Sequence, residues 1–280
     1  MAKLSKEERA ALETWAPGFL GMPVHRELEH QMELCRKGIE DAIVIGPRGV
    51  GKTEAVKRFC DRMREAEARR TIEDPSHLPE EVVYYEASRA TGPKTGLLDL
   101  YKALFGGASR VGARFQTPAS LRDHIADEVQ RRNVRLICID EAQLADAANL
   151  DLLRQVPDVA RSRGHVMGLM LIGNEELRDS LVDIRQMGQR FSAEVKFHKI
   201  SRKSVAPHLT GFHPHLPALK DSLKDSAWRS LEEEIFRRVN GSLRRLVRLL
   251  RNANELVLKF DRPMDEKIVR LAIDKLALED

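Results

Sequence analysis

Residues 41–53 read DAIVIGPRGVGKT, and this stretch decides the fold. Asp41 to Ile45 form a short β-branched run that ends at Gly46, which is typical of a buried strand. A charged amphipathic segment follows from Thr53 to about Arg70 and predicts a helix. Between them, residues 46–53 match the pattern G-x-x-x-x-G-K-[ST]. A strand, a glycine-rich loop and a helix in this order predict the first unit of a parallel α/β sheet.

The residue types of this loop predict a phosphate site. Glycines allow backbone N–H groups to curl around phosphates, and the start of the following helix favours negative charge. Lys52 is expected to reach the β- and γ-phosphates, and the Thr53 hydroxyl to coordinate Mg²⁺. The alternative is a glycine-rich turn without a ligand, which the strand–loop–helix context disfavours. The expected nucleotide-binding residues are Gly46, Pro47, Arg48, Gly49, Val50, Gly51, Lys52, Thr53 and Glu54.

A second motif lies at residues 136–141, which read LICIDE. An apolar strand that ends in two acids delivers carboxylates to the carboxyl edge of the sheet, where ligands bind in open α/β folds. Asp140 is expected to hold Mg²⁺ directly or through water, and Glu141 to orient the attacking water. An ordinary acidic strand end is the alternative. With the first motif, this one predicts ATP and Mg²⁺ as ligands and ATP hydrolysis as the reaction.

The rest of the chain alternates strands and helices up to about residue 200. Further strands are expected at residues 82–85, 134–139, 166–172 and 195–200. From residue 201 onward the pattern is helical, with breaks at Pro207 and at residues 213–217 and 261–263. We therefore expect a three-layer αβα parallel sheet of the P-loop NTPase class with a small helical lid. The expected domains are an N-terminal helical segment at 1–40, the core at 41–200 and the lid at 201–280.

Composition limits the possible partners only loosely. The net charge of +4 arises from 47 basic and 43 acidic residues, a mild excess that permits DNA binding without demanding it. Aromatic residues make up 5%, which disfavours a surface that stacks single-stranded bases. The sequence contains neither an 18-residue apolar run nor an apolar signal segment at its start. A soluble, cytoplasmic protein with three reduced cysteines is therefore expected.

Residues 140–143 read DEAQ and resemble the Walker B box of AAA+ ATPases. The resemblance extends from about residue 22 to residue 278. It implies a polar sensor at Asn174 and an arginine that acts on a neighbouring subunit at Arg190, with Arg185 as a competitor. Alternatives remain open, because Asn174 also suits a strand-end turn and lid arginines also suit a solvated helix face. The implied catalytic residues are Lys52, Glu141, Asn174 and Arg190, the metal ligands Thr53 and Asp140, and the lid arginine Arg244 in preference to Arg245.

Within the AAA+ family, the layout is most similar to the transposition regulators of the TnsC, TniB and MuB type. This resemblance implies a homo-oligomeric ring or filament on duplex DNA, with a transposase and a target-selection protein as partners and no membrane. It also implies that the segment between the second strand and the Walker B strand faces the DNA. The flexible backbone expected there contains Gly92, Gly96, Gly106, Gly107 and Gly112. Ordinary solvated loop charges are the alternative there. The candidate DNA contacts are Lys94, Lys102, Arg110, Arg114 and Thr117.

Two other functions remain open at the level of sequence. One is an assembly or regulatory ATPase of the ExeA type, which shares the DEAQ box and has no DNA role. The other is a compact helicase loader. In AAA+ proteins the segment before the first strand, here around residues 22–26, commonly lies over the adenine base.

Overall fold

The computed structural model describes residues 3–17, 19, 21–89, 91–106, 117–182, 190–191 and 193–278. The chain divides into two compact units. The sheet unit comprises Pro23–Pro47 and Lys52–Phe197. The helical unit comprises Met1–Met22, Arg48–Gly51 and His198–Asp280. The glycine-rich loop therefore contributes residues to both units.

The sheet unit contains, within the described residues, a five-stranded sheet in the order β2-β3-β4-β1-β5. All neighbouring strands are parallel. β1, β3 and β4 read as nearly continuous apolar runs because helices cover both faces of a parallel sheet. The predicted fold class is confirmed. The strand bounds are β1 Ala42–Ile45, β2 Glu81–Glu86, β3 Val134–Asp140, β4 Gly168–Gly173 and β5 Ala193–Lys196.

The predicted bounds of β4 and β5 are wrong. β4 begins at Gly168 and not at residue 166, at a position where a Cβ atom would lie 2.1 Å from the Cys35 carbonyl oxygen. The strand can therefore start there only because a glycine lets α2 approach. β5 ends at Lys196 because it pairs only with the four residues of β1. Ile200, which was expected in this strand, packs in the core of the helical unit.

Helices of the sheet unit cover the strands with apolar faces. α3 starts at the P-loop lysine and runs three residues beyond the predicted end. α4 occupies part of the segment expected to be flexible. The helix bounds are α2 Pro23–Arg36, α3 Lys52–Glu73, α4 Thr95–Phe105, α5 Pro118–Arg131, α6 Ala147–Ser162 and α7 Glu175–Val182.

The helical unit has its own core, centred on the buried side of α11. The N-terminal helix α1 belongs to this unit, and Asn254 Nδ2 donates to the Leu12 carbonyl at 3.0 Å. The predicted break at residues 261–263 separates α11 from α12. No helix among the described residues is both long and apolar enough to cross a membrane. The bounds are α1 Lys6–Glu13, α8 Arg202–Val205, a 3-10 stretch Ala206–Phe212, α9 Leu216–Ser222, α10 Asp225–Val239, α11 Leu243–Phe260 and α12 Glu266–Leu278.

All three cysteines are free and buried inside the sheet unit. Cys35 lies on α2, Cys60 on α3 and Cys138 on β3, and none is more than 1% exposed. Burial, assisted by the charge of Asp41, raises the pKa of Cys35 to about 12. These residues act as small apolar side chains of the core.

Candidate nucleotide-binding site

The strand order brings three sequence motifs to one edge of the sheet. β3, β4 and β1 are consecutive neighbours and run parallel, so their carboxyl ends lie side by side. The P-loop follows β1, Asp140 ends β3 and Asn174 follows β4. Ligands of open α/β sheets bind at this edge.

The start and end of the P-loop have the geometry of a phosphate cradle. A Cβ atom on Gly46 would lie 2.3 Å from the Phe197 carbonyl oxygen, so only glycine fits there. Gly49 and Gly51 have φ angles of +78° and +99°, which glycine adopts without strain. Lys52 begins α3, and its Nζ donates to the Gly46 carbonyl at 2.6 Å and to the Pro47 carbonyl at 3.0 Å. The ammonium group is thus held at the carbonyl groups of the first two P-loop residues.

Asp140 is oriented by three hydrogen bonds. Thr53 Oγ1 donates to its Oδ2 at 2.6 Å, and Tyr84 Oη donates to the same oxygen at 2.8 Å. The Glu141 backbone N–H donates to Oδ1 at 2.8 Å. Hydroxyl and carboxylate oxygens are the ligands that Mg²⁺ prefers. The pairing of Thr53 with Asp140 across 87 residues therefore fits the magnesium site that the two motifs predict.

Tyr84 is a site residue that sequence reasoning missed. It lies on β2 opposite Cys138 of β3, two positions before Asp140. Burial and the nearby Asp140 carboxylate raise the pKa of Tyr84, so its hydroxyl stays protonated and remains a donor. The Lys57 ammonium lies 5.1 Å from the ring centroid. The position of Tyr84 in an apolar strand does not indicate this role, because the role depends on the register between β2 and β3.

Glu141 sits directly beside this carboxylate in a left-handed backbone conformation, with φ of 49°. The amide nitrogen of Gln143 donates a hydrogen bond to Glu141 Oε2. The Asn174 backbone N–H donates to Gln143 Oε1 at 3.4 Å. The amide of Gln143 therefore connects Glu141 with the end of β4.

Asn174 has the position expected of a sensor and also the contacts of a turn residue. Its Oδ1 accepts from the Glu176 backbone N–H at 3.0 Å, and its Nδ2 donates to Glu176 Oε2 at 3.1 Å. These bonds organise the first turn of α7. A role in sensing the γ-phosphate stays a prediction.

Arg190 lies at the opposite edge of the sheet from the P-loop. Its Nε donates to Asp41, directly before β1, and its Nη1 donates to Asp158 of α6. The four residues of β1 separate Asp41 from the P-loop by about 13 Å. Arg190 therefore does not reach the loop of its own chain, and action on a neighbouring subunit stays a prediction. The competing Arg185 lies outside the described residues.

The two lid arginines differ in their surroundings within the helical unit. The Arg244 backbone N–H donates to the Gly49 carbonyl at 3.0 Å, at the start of α11. A Cβ atom on Gly49 would lie 3.2 Å from the Cβ of Arg244. Arg245 instead lines a cleft of about 500 Å³ with Arg237 and Arg238. Arg244 is thus the arginine beside the P-loop residues of this unit.

The candidate DNA contacts are only partly described. Lys94 directly precedes α4. The exposed Lys102 lies on α4, and its Nζ is 3.7 Å from Asp99 Oδ1 on the same helix. The Thr117 hydroxyl accepts from the Ser120 backbone N–H and caps α5. Arg110 and Arg114 lie outside the described residues.

Gly96 does not provide flexible backbone, and that expectation is wrong. It is buried in the first turn of α4, where a Cβ atom would lie 2.8 Å from Leu153. The glycine is needed because α4 and α6 approach closely at this point.

Comparison with solved structures shows the same fold in several proteins. The ORC2 protein of Aeropyrum pernix in its ADPNP–ADP complexes has a TM-score of 0.67 and 20% identity over 95% of this chain and 71% of its own. The ORC1 protein of the same organism in complex with DNA has a TM-score of 0.66 and 18% identity, and the match covers 96% of this chain and 69% of ORC1. Domain III of the Thermotoga maritima replication initiation protein DnaA has a TM-score of 0.52 and 15% identity, and the match covers 92% of this chain and 94% of that domain.

Comparison by sequence identifies the family. No protein of curated function matches the chain. A family model of the AAA domain matches residues 41–181, which is 141 of the 280 residues. This range contains the P-loop, the acidic end of β3 and the end of β4. The chain belongs to the AAA+ ATPase family.

Proposed function

We propose that this protein is an ATP-dependent switch that oligomerises on duplex DNA when Mg²⁺–ATP is bound. The observation that carries the nucleotide part is the hydrogen bond from Thr53 to Asp140, at the end of a loop in which Lys52 already faces the phosphate cradle. Two motifs that lie 87 residues apart in sequence would thus supply oxygen ligands to one Mg²⁺ ion. Mg²⁺ supplies, when bound, positive charge that neutralises the phosphate oxygens.

Hydrolysis is assigned to Glu141. Its carboxylate lies one residue beyond Asp140, where it can accept a proton from, and orient, a water molecule aligned with the γ-phosphate. Asn174 would contact that water or the phosphate from the next strand. Positioning of this kind provides most of the rate enhancement in phosphoryl transfer.

Oligomerisation would complete the site through Arg190. An arginine that acts in trans stabilises the charge of the transition state, and hydrolysis then requires assembly. Within one chain the Arg190 guanidinium is paired with Asp41 and Asp158. Engagement of a neighbouring phosphate would require exchange of these partners, so ATPase activity per subunit is expected to rise with protein concentration.

The DNA part of the proposal rests on the basic segment around α4 and on the solved structures of like fold. One of those structures is a complex with DNA. Lys94 and Lys102 would contact backbone phosphates without reading bases, which gives salt-dependent affinity. The finer proposal, from resemblance to the TnsC, TniB and MuB type, is a regulator that directs a transposase to its target. The likeness to the ORC proteins favours an initiator or loader as the second candidate.

The test is duplex binding in different nucleotide states. Fluorescence anisotropy of a labelled duplex would be measured at moderate salt without nucleotide, with ADP and with a slowly hydrolysed ATP analogue. We expect tight binding only with the ATP analogue, and loss of binding in Lys52→Ala, which cannot hold the polyphosphate. Glu141→Gln is expected to bind DNA with ATP itself, because it retains ATP without hydrolysing it.

Two charge variants distinguish a direct contact between a lysine and DNA phosphate from an effect of the net charge of the protein. Lys102→Gln should weaken DNA binding and reduce its salt dependence by about one phosphate contact. The matched control is Lys259→Gln, which removes an exposed charge from α11 of the helical unit. Nucleotide-independent binding would contradict the switch. ATP hydrolysis without any duplex binding would instead support an assembly ATPase of the ExeA type.

A further inference from the structure

The turn that follows β3 holds the proposed water-orienting carboxylate through the side chain of Gln143. Residues 142–144 form a 3-10 turn, in which the Leu144 N–H donates to the Glu141 carbonyl at 2.9 Å. This turn places the Gln143 amide beside the Glu141 carboxylate, and its nitrogen donates to Oε2. A glutamate side chain has three rotatable bonds, so its position depends on such a contact.

The other end of the same amide is held by β4. The Asn174 N–H donates to Gln143 Oε1 at 3.4 Å. A Cβ atom at position 173 would lie 2.6 Å from this oxygen, so Gly173 leaves the space that the amide occupies. The Gln143 side chain therefore lies between the acidic end of β3 and the strand that leads to the sensor Asn174.

We propose that Gln143 is a positioning residue, which holds the Glu141 carboxylate in the orientation that activates water and ties it to the end of β4. This inference rests on the proposed hydrolytic role of Glu141. One carboxylate oxygen accepts from the amide, which leaves the other oxygen to accept from water. Because the amide is anchored at β4, a displacement at Asn174 is transmitted to Glu141 through one side chain.

The proposed role of Gln143 affects ATP hydrolysis and not ATP binding. The Lys52 ammonium donates to the Gly46 carbonyl, and Asp140 accepts from Thr53 and from the Glu141 N–H, so these proposed polyphosphate and metal contacts are organised by partners other than the Gln143 amide. Loss of the amide should therefore leave ATP binding intact and lower only the rate of hydrolysis. A side chain that merely stabilised the fold would instead affect both.

The test compares Gln143→Leu and Gln143→Glu with wild type in full-length protein. Leucine has a similar volume but can neither donate nor accept, whereas glutamate cannot donate and repels Glu141. In both variants kcat should fall about tenfold, with KM and the Kd for ATP changed by less than about twofold. Leu144→Gln, an exposed substitution in the same turn, is the matched control and should hydrolyse ATP at the wild-type rate.

A double-mutant comparison separates this inference from the function on which it rests. In a Glu141→Gln background, Gln143→Leu should change the residual kcat by less than about twofold, because the residue it positions is gone. Wild-type turnover in Glu141→Gln would overturn the hydrolytic role itself. An inactive Glu141→Gln together with an unchanged or raised kcat in Gln143→Leu would overturn only the positioning role. Parallel loss of ATP affinity and kcat would also overturn it.

Discussion

At the scale of single residues, the site is organised around one carboxylate. Asp140 is 2% exposed and accepts from Thr53, Tyr84 and the backbone of Glu141. A buried carboxylate with several donors has a single preferred orientation. Mutation of a residue that orients a metal ligand typically lowers metal affinity or activity by about 10- to 100-fold.

Tyr84→Phe tests this orientation. It removes one donor to Asp140 Oδ2 and nothing else of the side chain. We expect the Mg²⁺ concentration for half-maximal ATPase activity to rise about tenfold, while binding of metal-free ATP is unchanged. ATPase assays over a range of Mg²⁺ concentrations would measure the first quantity, and isothermal titration of ATP without Mg²⁺ would measure the second.

The neighbouring tyrosine provides a matched control for that experiment. The Tyr85 hydroxyl is buried and has no hydrogen-bond partner among the described residues. Tyr85→Phe therefore removes the same atom without breaking a bond, and its Mg²⁺ dependence should equal that of wild type. An equal response of both variants would show that Tyr84 does not act through Asp140.

The local motifs of the site were predictable, and the contacts between distant residues were not. Lys52, Thr53 and Asp140 were identified because each stands in a short pattern with a mechanism. Tyr84 and Gln143 were not identified, because their roles follow from strand register and from the path of a turn. For Arg190, sequence reasoning supplied a role in trans but not the pairing with Asp41 and Asp158.

At the scale of elements, α6 organises the start of α4. Asn149 is fully buried; its Oδ1 accepts from the Gly96 N–H at 2.8 Å and its Nδ2 donates to the Gly92 carbonyl at 3.1 Å. Asp146, the N-cap of α6, accepts from both the Asn149 backbone and its side chain. The segment that carries Lys94 is thus anchored at both sides of the lysine.

Asn149→Ala tests this anchor. It leaves the buried Gly96 N–H without its Asn149 acceptor and removes one of the donors to the Gly92 carbonyl, which should lower the free energy of unfolding by about 2 kcal/mol. Hydrogen exchange should increase at residues 92–96 more than in the strands. Ser162→Ala, at the exposed end of the same helix, should change neither quantity. Uniform acceleration over the whole sheet unit would contradict a local anchor.

Element types were predictable from periodicity, whereas their ends depended on neighbours. β4 starts where Gly168 meets Cys35, and β5 ends where β1 no longer offers a partner. Gly96 was interpreted as flexible because glycine in a polar segment usually marks a loop. Its burial against Leu153 depends on the packing of two helices, which the local pattern does not contain.

At the scale of the whole molecule, the two units can be monitored separately. The chain has two tryptophans, Trp15 and Trp228, and both belong to the helical unit. Trp15 lies 4.6 Å from the ring of His213. The imidazole of His213 is 1% exposed, with Nδ1 accepting from the His215 N–H and Nε2 beside Asn254 Oδ1. Tryptophan fluorescence therefore reports on the unit that contains this buried histidine.

The stability of the helical unit should depend on pH through His213. Burial lowers the pKa of His213 to about 4, despite the opposing hydrogen bond to Asn254. The unfolded chain, with an ordinary histidine pKa of about 6.5, binds the proton first. The contribution of the neutral His213 to the free energy of unfolding is therefore fully present above about pH 6.5. This contribution, up to about 3 kcal/mol, is lost as the pH falls towards 4.

Urea unfolding followed by tryptophan fluorescence at pH 7.5, 6, 5 and 4.5 would measure this loss. His213→Gln keeps a donor and an acceptor but does not titrate, so its unfolding free energy should vary less over the same range. An identical pH dependence in this variant would assign the effect to other groups.

The burial of Cys35, Cys60 and Cys138 has a practical consequence for all of these measurements. Maleimide dyes react with accessible thiols, and the native cysteines of the folded chain are shielded within the sheet unit. A cysteine introduced at an exposed position, such as Leu144 or Lys259, can then be labelled without first removing the natural ones. Site-specific fluorophores can thus follow each unit of the otherwise unaltered protein through its nucleotide cycle.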